Sequence, residues 1–255
     1  MEQFEILLIG DVCVDVYNYG TVNRISPEAP VPILDVERTE KKMGMSANVA
    51  DNIKALNYKV THLTGNETSI KTRFIDSKTG QQMLRVDEDK MSYPVNVFGL
   101  PNQPSCIVLS DYGKGTLDYT TIEQIIDKFT CPIFIDTKKT DLGQFDRIYP
   151  PREVFFKINE VENSNLNSTC RNTIVTLGKR GATFMDKDFP APHVNVADVC
   201  GAGDTFLAAL ACSYMTNRDI EKAIEFAIEA SSITVQHLGV YAPTLGEIDA
   251  IRRQS

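Results

Sequence analysis

One segment of the sequence, residues 198–204, places a carboxylate directly after a run of small residues: Asp198-Val199-Cys200-Gly201-Ala202-Gly203-Asp204. Glycine at two of these positions lets the backbone turn sharply and bring several N–H groups towards one ligand. The apolar spacing over 205–215 is helical, so these N–H groups are predicted to begin a helix, whose N-terminus favours a transferring phosphate. Asp204 beside such an anion would act chiefly by accepting a proton from a nucleophile. A glycine turn followed by a capped helix explains the same spacing equally well.

Other candidate ligand-binding residues follow a predicted strand or begin a predicted helix. The continuous apolar run over residues 5–10 predicts a buried parallel strand. Ligands bind at the ends of such strands, so Asp11 and Asp15 are candidate pocket residues, with turn chemistry as the alternative. Asn48 lies in the first turn of a helix predicted over 44–56, where it either faces a ligand or caps the helix.

The elements that must position these residues alternate along the chain. Buried strands are predicted at 105–109, 132–135, 153–158 and 173–177, and helices at 121–129, 205–215, 220–237 and from Leu245. Strands that alternate with helices predict an α/β fold with a mostly parallel central sheet and helices on both faces. A length of 255 residues is sufficient for one large domain, and we expect residues 1–255 to form a single domain.

Two segments depart from this alternation and predict a second, smaller sheet. Residues 14–36 alternate apolar and polar positions before a proline-rich stretch, and residues 70–86 are typical of a hairpin around Thr79-Gly80. We expect these strands to form a small β lid or an oligomer interface. Such strands cannot bury an apolar face alone, so the sequence favours a homodimer through the lid strands.

The composition restricts the class of partner. A formal net charge of −8 and a pI near 5.0 disfavour nucleic acid and acidic membrane surfaces as partners. No apolar run approaches the ~20 residues that span a bilayer. The six cysteines form no CxxC pair, and residues 1–4 lead directly into a predicted strand without a charged leader. We therefore expect a cytoplasmic protein with small-molecule partners.

Residues 198–204 resemble the D-T/V-x-G-A-G-D signature of the ribokinase-like (PfkB) carbohydrate kinases. Three further stretches are similar to those of bacterial D-glycero-D-manno-heptose-7-phosphate kinases: residues 24–32 (RISPEAPVP), 81–87 (QQMLRVD) and 109–115 (LSDYGKG). The matches are collinear and extend from about Ile6 to Arg252. The resemblance implies a ribokinase-like fold with a β lid and an ATP-dependent sugar kinase that phosphorylates C1 of the heptose 7-phosphate.

The resemblance also implies roles for individual residues around the transferring phosphate. Asp204 would be the general base, and the anion hole for the γ-phosphoryl group would be formed by Gly201, Ala202 and Gly203. The cofactors would be ATP and Mg²⁺. The N-x-x-E motif of the family matches Asn159 and Glu162, which would hold the metal, with oxygen ligands that suit a hard cation. Contacts to the ATP phosphates would come from Asn159, Thr176, Gly178 and Gly181.

On the acceptor side, the resemblance assigns the sugar pocket to Asp15, Gly44 and Asn48. The cationic side chains that could bind the 7-phosphate are Arg73, Arg85 and Lys114, with ordinary surface charge as the alternative. Three departures from the family pattern bear on specificity. Met45 stands where the family has a second glycine, Cys200 stands where threonine is common, and residues 66–69 replace a stretch of several dozen residues. A kinase of another sugar or sugar phosphate, or a non-catalytic binding protein derived from a kinase, remains the alternative function.

Overall fold

The computed structural model describes residues 4–147 and 153–253. The first half of the chain contains β1 (Glu5–Gly10), β2 (Val12–Ile25), β3 (Pro32–Met45), α1 (Ser46–Ala55), β4 (Lys59–Thr64), β5 (Ser69–Asp76), β6 (Gln82–Glu88), β7 (Cys106–Asp111) and α2 (Tyr119–Lys128). The second half contains β8 (Ile133–Thr137), β9 (Val154–Asn159), α3 (Glu160–Ser164), β10 (Thr173–Thr176), β11 (Ala182–Phe184), β12 (Lys187–Phe189), α4 (Ala202–Asn217), α5 (Ile220–Thr234) and α6 (Leu245–Arg252).

The larger sheet has the strand order β12-β11-β10-β9-β8-β7-β1-β4. Its strands from β10 to β4 are parallel, whereas β11 and β12 are antiparallel at one edge. Five of the six residues of β1 are buried, because a parallel strand at this position is covered on both faces. The predicted α/β class and mostly parallel sheet are confirmed.

Helices cover both faces of this sheet. Successive strand residues point to opposite faces, so Ile6 and Leu8 join the core beneath α1, α4, α5 and α6. Leu7 and Ile9 join the other core, which is covered by α2 and the short 3-10 segments near residues 98 and 145. None of the helices in the described ranges is long and apolar enough to cross a membrane.

The predicted lid is a separate four-stranded sheet with the order β3-β2-β5-β6. Strands β2 and β5 pair in parallel at its centre, and β5 and β6 form the predicted hairpin. Strand β3 continues to Met45, beyond its predicted end near residue 36. Residues 37–42 are mostly charged and lack apolar alternation, and the ladder with β2 extends the strand through them.

Two of the predicted helix bounds differ from the structure, and the start of α4 bears on the site. Helix α4 begins at Ala202, not at Thr205, so Asp204 lies inside its first turn. Helix α5 ends at Thr234, three residues before its predicted end at His237. Residues 65–68 connect β4 directly to β5, and β4 pairs only with β1 among the described strands. The short connection therefore leaves β4 at the edge of the larger sheet.

Candidate active site

The N-terminus of α4 has the geometry predicted for an anion site. Gly201 is the N-cap residue with φ 78°, in the left-handed region where glycine is favoured. A Cβ at this position would lie only 2.8 Å from Asn48 Nδ2. Helix α4 contains sixteen residues, so the unpaired N–H groups of its first turn carry the partial positive charge of a long helix.

Asp204 is buried in that first turn and accepts two hydrogen bonds from other parts of the chain. Asn48 Nδ2 of α1 donates to Asp204 Oδ2 at 2.9 Å, and the Tyr112 hydroxyl, from the loop after β7, donates to Asp204 Oδ1 at 2.7 Å. The fold thus places two sequence-predicted residues, Asn48 and Asp204, in direct contact. Tyr112 was not selected as a candidate from the sequence, although it follows the end of a parallel strand, where ligand-binding residues concentrate.

The environment of Asp204 makes its carboxylate basic. The pKa of Asp204 is raised to about 6, chiefly by burial and to a smaller extent by the negative charge of Asp136. The hydrogen bonds from Asn48 and Tyr112 and the ammonium group of Lys157 act in the opposite direction and lower this pKa. A carboxylate with a pKa near neutrality is well suited to accept a proton in a reaction.

A buried ion pair lies next to the same helix N-terminus. Lys157 Nζ of β9 is 2.7 Å from Asp136 Oδ2 of β8, and both side chains are at most 6% exposed. A Cβ at Gly203 would lie 3.0 Å from Lys157 Nζ, so this ammonium group reaches the first turn of α4. Sequence reasoning also missed Lys157, because an isolated lysine in an apolar strand gives no indication of its partner.

A cavity of about 560 Å³ connects the anion site to the predicted nucleotide residues. Its lining includes the predicted nucleotide residues Thr176, Gly178 and Gly181 and the first-turn residues Ala202 and Gly203. Polar side chains in the lining also come from Lys179, His193, Ser231 and Ser232. Its apolar lining comes from α4, α5 and residues 191–199, namely Ala191, Pro192, Val194, Val196, Val199, Phe206, Ile228 and Val235. The volume falls within the range of small-molecule sites. A mostly apolar lining with a few polar groups suits a nucleotide, which joins an apolar nucleobase to charged phosphates.

The N-x-x-E pair lies at the end of β9, beside this cavity. Asn159 is paired in register with Thr176 of β10. Asn159 and Glu162 form a capping box at α3, in which each side chain accepts a hydrogen bond from the other residue's backbone N–H at 2.8 Å. Glu162 Oε1 also forms an ion pair with Lys138. Within residues 4–147 and 153–253, no group of three His, Cys, Asp or Glu side chains is arranged to hold a metal ion.

The acceptor-side residues Asp15 and Gly44 lie together on the antiparallel pair β2 and β3. A Cβ at Gly44 would be 2.3 Å from Asp15 Oδ2, so only glycine leaves room for the carboxylate. Arg73 of β5 donates to Asp15 Oδ1 at 3.2 Å, and the Cys13 thiol donates to Asp15 Oδ2 at 3.6 Å. Asp15 is buried, and its pairing with Arg73 holds a cation on the acceptor side.

The other two candidates for binding the 7-phosphate, Arg85 on β6 and Lys114 in the loop after β7, form ion pairs with other residues. Arg85 pairs with Asp87 at 2.8 Å, and Lys114 pairs with Asp89 at 2.5 Å. Lys71, which sequence reasoning missed, lies two residues before Arg73 on β5. Its ammonium group is 5.8 Å from the centre of the Tyr112 ring. Within the described parts of the chain, Lys71 has no carboxylate within ion-pair distance.

Asp11 is a structural residue, and its assignment to the pocket is wrong. It is buried, and its carboxylate accepts hydrogen bonds from the backbone N–H groups of Tyr112, Lys114 and Thr116 at 2.8, 3.0 and 3.2 Å. These three bonds use the carboxylate to fix the loop after β7. The turn chemistry weighed as the alternative for Asp11 is therefore what the structure shows.

The two substituted family positions have distinct environments. Met45 is buried and has φ 58° and ψ −128°, a backbone conformation that glycine adopts far more readily than methionine. The Cys200 N–H donates to Asp198 Oδ1 at 3.0 Å, while Asp198 Oδ2 accepts from Gly239 N–H at 2.9 Å. Asp198 thus fixes the turn before α4, and burial raises the pKa of the Cys200 thiol.

Comparison with known proteins agrees with this geometry. Residues 157–245 match the family model described as pfkB family carbohydrate kinase. The bifunctional protein HldE of Helicobacter pylori strain J99 is 31% identical over 310 positions, which cover 98% of this chain and 67% of that protein. HldE of Campylobacter curvus is 29% identical over 99% of this chain and 66% of its own length. The chain therefore spans about two thirds of the length of these curated relatives.

The lengths of these alignments bear on the shortened connection after β4. An alignment of 310 positions exceeds the 255 residues of this chain by 55, so at least that many residues of the Helicobacter protein have no counterpart here. The predicted loss of several dozen residues relative to the family is consistent with this difference.

Solved structures show the same fold. Ribokinase from Thermotoga maritima matches with a TM-score of 0.74 and 17% identity over 98% of this chain and 99% of that one. Arabidopsis thaliana ribokinase, solved with ribose and ATP, matches with a TM-score of 0.71 and 17% identity over the whole of both chains. The larger sheet, the lid and the site at the α4 N-terminus thus define a ribokinase-like α/β fold. The chain belongs to the pfkB family of carbohydrate kinases, which are phosphotransferases that act on hydroxyl groups.

Proposed function

We propose that this chain is an ATP-dependent kinase that phosphorylates the C1 hydroxyl of D-glycero-D-manno-heptose 7-phosphate. The observation that carries the proposal is the position of Asp204. Its buried carboxylate lies in the first turn of α4, next to Gly203 in the lining of the cavity. The same carboxylate accepts a hydrogen bond from Asn48 of α1. A base between a nucleotide cavity and an acceptor pocket is the arrangement that transfer of phosphate to a hydroxyl requires.

In the proposed reaction, Asp204 accepts the proton of the C1 hydroxyl, and that oxygen forms a bond to the γ-phosphorus of ATP. The bond from the γ-phosphorus to the β–γ bridging oxygen breaks, and ADP leaves with that electron pair. The N–H groups of Gly201, Ala202 and Gly203 would stabilise the charge that develops on the γ-phosphoryl oxygens, with the Ala202 N–H released from its long bond of 3.4 Å to the Val199 carbonyl. Lys157 adds a positive charge next to Gly203. Positioning and charge stabilisation of this kind supply most of the catalysis in phosphoryl transfer.

The residues present also suit Mg²⁺. Mg²⁺ keeps several waters and is bound through one or two carboxylates and the phosphates of the substrate, so a three-carboxylate cluster is not required. Glu162 and the Asn159 amide at the end of β9 offer hard oxygen donors beside the nucleotide cavity. We propose that they hold the ion, partly through its waters, and that Mg²⁺ neutralises the phosphate charge when it is bound.

A phosphorylated acceptor is supported by the cations on β5. Lys71 and Arg73 lie on the same face of this strand, and they face Tyr112 and Asp15 respectively. Lys71 lacks an ion-pair partner among the described residues, so it is available for an anionic substituent of the sugar. The HldE relatives are about 30% identical over nearly the whole chain, and this similarity favours the heptose 7-phosphate among phosphorylated sugars.

ADP release with ATP, Mg²⁺ and a panel of acceptors tests the proposal. The panel contains the heptose 7-phosphate, the unphosphorylated heptose, ribose and fructose 6-phosphate. We expect the highest kcat/KM with the heptose 7-phosphate, and Asp204→Asn should lower kcat by roughly 10²- to 10⁴-fold. Asp127→Asn, an exposed change on α2, is the matched control and should leave kcat unchanged.

The remaining outcomes of this experiment separate the alternatives. A higher kcat/KM with another member of the panel would replace the heptose by that sugar while retaining the kinase. Binding of ATP or sugar by calorimetry without turnover of any acceptor would favour a non-catalytic binding protein, an alternative motivated by Met45 and the shortened chain. Lys71→Met should raise KM for the phosphorylated heptose and leave KM for the unphosphorylated heptose unchanged.

A further inference from the structure

Tyr112 lies in the loop after β7, whose backbone is fixed by several hydrogen bonds to buried carboxylates. The Asp11 carboxylate accepts three backbone hydrogen bonds from this loop, including one from Tyr112 N–H at 2.8 Å. The adjacent Gly113 N–H donates to Asp111 Oδ1 at 2.8 Å. Two buried aspartates at the end of β1 and β7 therefore fix the backbone from which the Tyr112 side chain projects.

The Tyr112 side chain connects this fixed loop to the proposed base. Its hydroxyl donates to Asp204 Oδ1 at 2.7 Å. Two ammonium groups approach its ring, with Lys71 Nζ at 5.8 Å and Lys138 Nζ at 5.2 Å from the ring centre. These contacts leave the ring little freedom to rotate away from Asp204 without losing the hydrogen bond and both cation–π contacts.

We propose that Tyr112 is a positioning residue for the general base: its hydroxyl fixes the Asp204 carboxylate in one orientation and favours its deprotonated form. The inference rests on the proposed function, because it assigns Tyr112 a role only if Asp204 accepts the proton of the sugar. Asn48 and Tyr112 each occupy one lone pair of a different carboxylate oxygen. A second lone pair on each oxygen remains for the acceptor hydroxyl.

Several other charged groups face Asp204, and each acts on its protonation. Asp136 on β8 disfavours the negative charge, whereas Lys157 on β9 and Lys138 after β8 favour it. The Cys13 thiol on β2 also faces Asp204, but its pKa is raised to about 12, so it stays neutral in the pH range of the test. Burial is the main cause that raises the pKa of Asp204, and the Tyr112 hydrogen bond opposes it, with a net value of about 6. Removal of the hydroxyl should therefore raise this pKa while the other groups stay in place.

The test is the pH dependence of kcat/KM in the wild type and in Tyr112→Phe, with the whole chain, ATP and Mg²⁺. A hydrogen bond to a charged group corresponds to a pKa change of about one unit, so the acid limb should move up by about one pH unit. At pH 6 the variant should then lose about five-fold in kcat/KM, and above pH 8 the loss from protonation should disappear.

Tyr214→Phe is the matched control. Tyr214 lies on the same helix as Asp204, about 15 Å further along it, and its hydroxyl donates to a different carboxylate, Glu153 Oε1, at 2.6 Å. This variant also loses a tyrosine–carboxylate hydrogen bond but should keep the wild-type acid limb. A merely structural role of Tyr112 would lower kcat/KM equally at every pH in Tyr112→Phe.

A second measurement keeps the test independent of turnover. The Asp204 carboxyl carbon, labelled with ¹³C and identified by its loss in Asp204→Asn, should titrate at a higher pH in Tyr112→Phe than in the wild type. Absence of turnover by the wild type with every acceptor would overturn the proposed function. Turnover by the wild type, with the same acid limb and the same carboxyl titration in Tyr112→Phe, would overturn only the role of Tyr112.

Discussion

Asn48 Nδ2 and Asp204 Oδ2 are 2.9 Å apart although 156 positions separate them in the sequence. Asn48 lies in the first turn of α1, and Asp204 lies in the first turn of α4. The two helix N-termini therefore meet at one point, which lies between the proposed acceptor residues and the proposed nucleotide cavity. Four predictions follow from how this point is built and stabilised.

Asp204→Asn should stabilise the folded protein while it removes activity. The pKa of Asp204 is raised from 3.8 to about 6, so the native state binds the proton more tightly than the unfolded state does. The stability that this group contributes falls as the pH rises from about 4 to 6. At pH 7 the carboxylate is ionised, and the free energy of unfolding carries the full cost of burying its charge. Its upper limit is about 3 kcal/mol.

Urea unfolding at several pH values measures this penalty. We expect a gain of up to about 3 kcal/mol for Asp204→Asn at pH 7 that shrinks to nothing below pH 4. In asparagine one of the two carboxylate oxygens that accept from Asn48 and Tyr112 is replaced by an NH₂ donor. One of these two hydrogen bonds is therefore lost or reversed, and the observed gain should fall below that limit. A loss of stability at pH 7 would contradict the conclusion that burial destabilises the ionised form of Asp204.

Lys157→Met should destabilise the protein strongly, and a second substitution should restore part of the loss. Removal of the ammonium group leaves Asp136 buried and unpaired, which costs about 3–5 kcal/mol. Asp136 Oδ1 already lacks a hydrogen-bond partner among the described residues. The double variant with Asp136→Asn removes the uncompensated charge, so a double-mutant cycle by urea unfolding should show a coupling energy above about 1 kcal/mol.

Gly201→Ala should reduce activity more than its effect on stability explains. The new methyl group would lie 2.8 Å from Asn48 Nδ2 and displace the side chain that contacts Asp204. Gly80→Ala is the matched control, because Gly80 has φ +71° in the lid hairpin and a Cβ there would meet nothing within 4 Å. Both variants should lose about 1 kcal/mol of stability from the positive φ. Only Gly201→Ala should lower kcat/KM, and an equal decrease in the control would contradict this.

Met45→Gly should be more stable than Met45→Ala, the reverse of the usual order. Both variants lose the buried methionine side chain, but only glycine relieves the backbone at φ 58° and ψ −128°. The relief of such a conformation is worth about 1–3 kcal/mol, which exceeds the entropic advantage of alanine. Guanidinium unfolding of the two variants measures the difference, and greater stability of the alanine variant would show that position 45 is not strained.

Much of the fold was predictable because it depends on local patterns. The apolar run of β1, the helical spacing after Asp204 and the hairpin at Thr79-Gly80 are each determined by neighbouring residues. Strand β3 beyond residue 36 was not predictable, since its charged residues pair with β2 through backbone hydrogen bonds that carry no side-chain pattern. The start of α4 was misplaced for a related reason, because Ala202 and Gly203 have no apolar side chains to mark the helix.

The sequence by itself determined the types of chemical group available: a carboxylate after a glycine turn, the amide–carboxylate pair of Asn159 and Glu162 and the residues of a parallel sheet. Only the tertiary structure decided which groups meet. In the folded chain, Tyr112 and Asn48 donate hydrogen bonds to Asp204, and Lys157 lies next to Gly203. The Asp11 carboxylate accepts hydrogen bonds from the backbone of the loop after β7. These contacts join segments far apart in the chain, and they exist because parallel strands end at one edge of the sheet, where no local pattern specifies the neighbour.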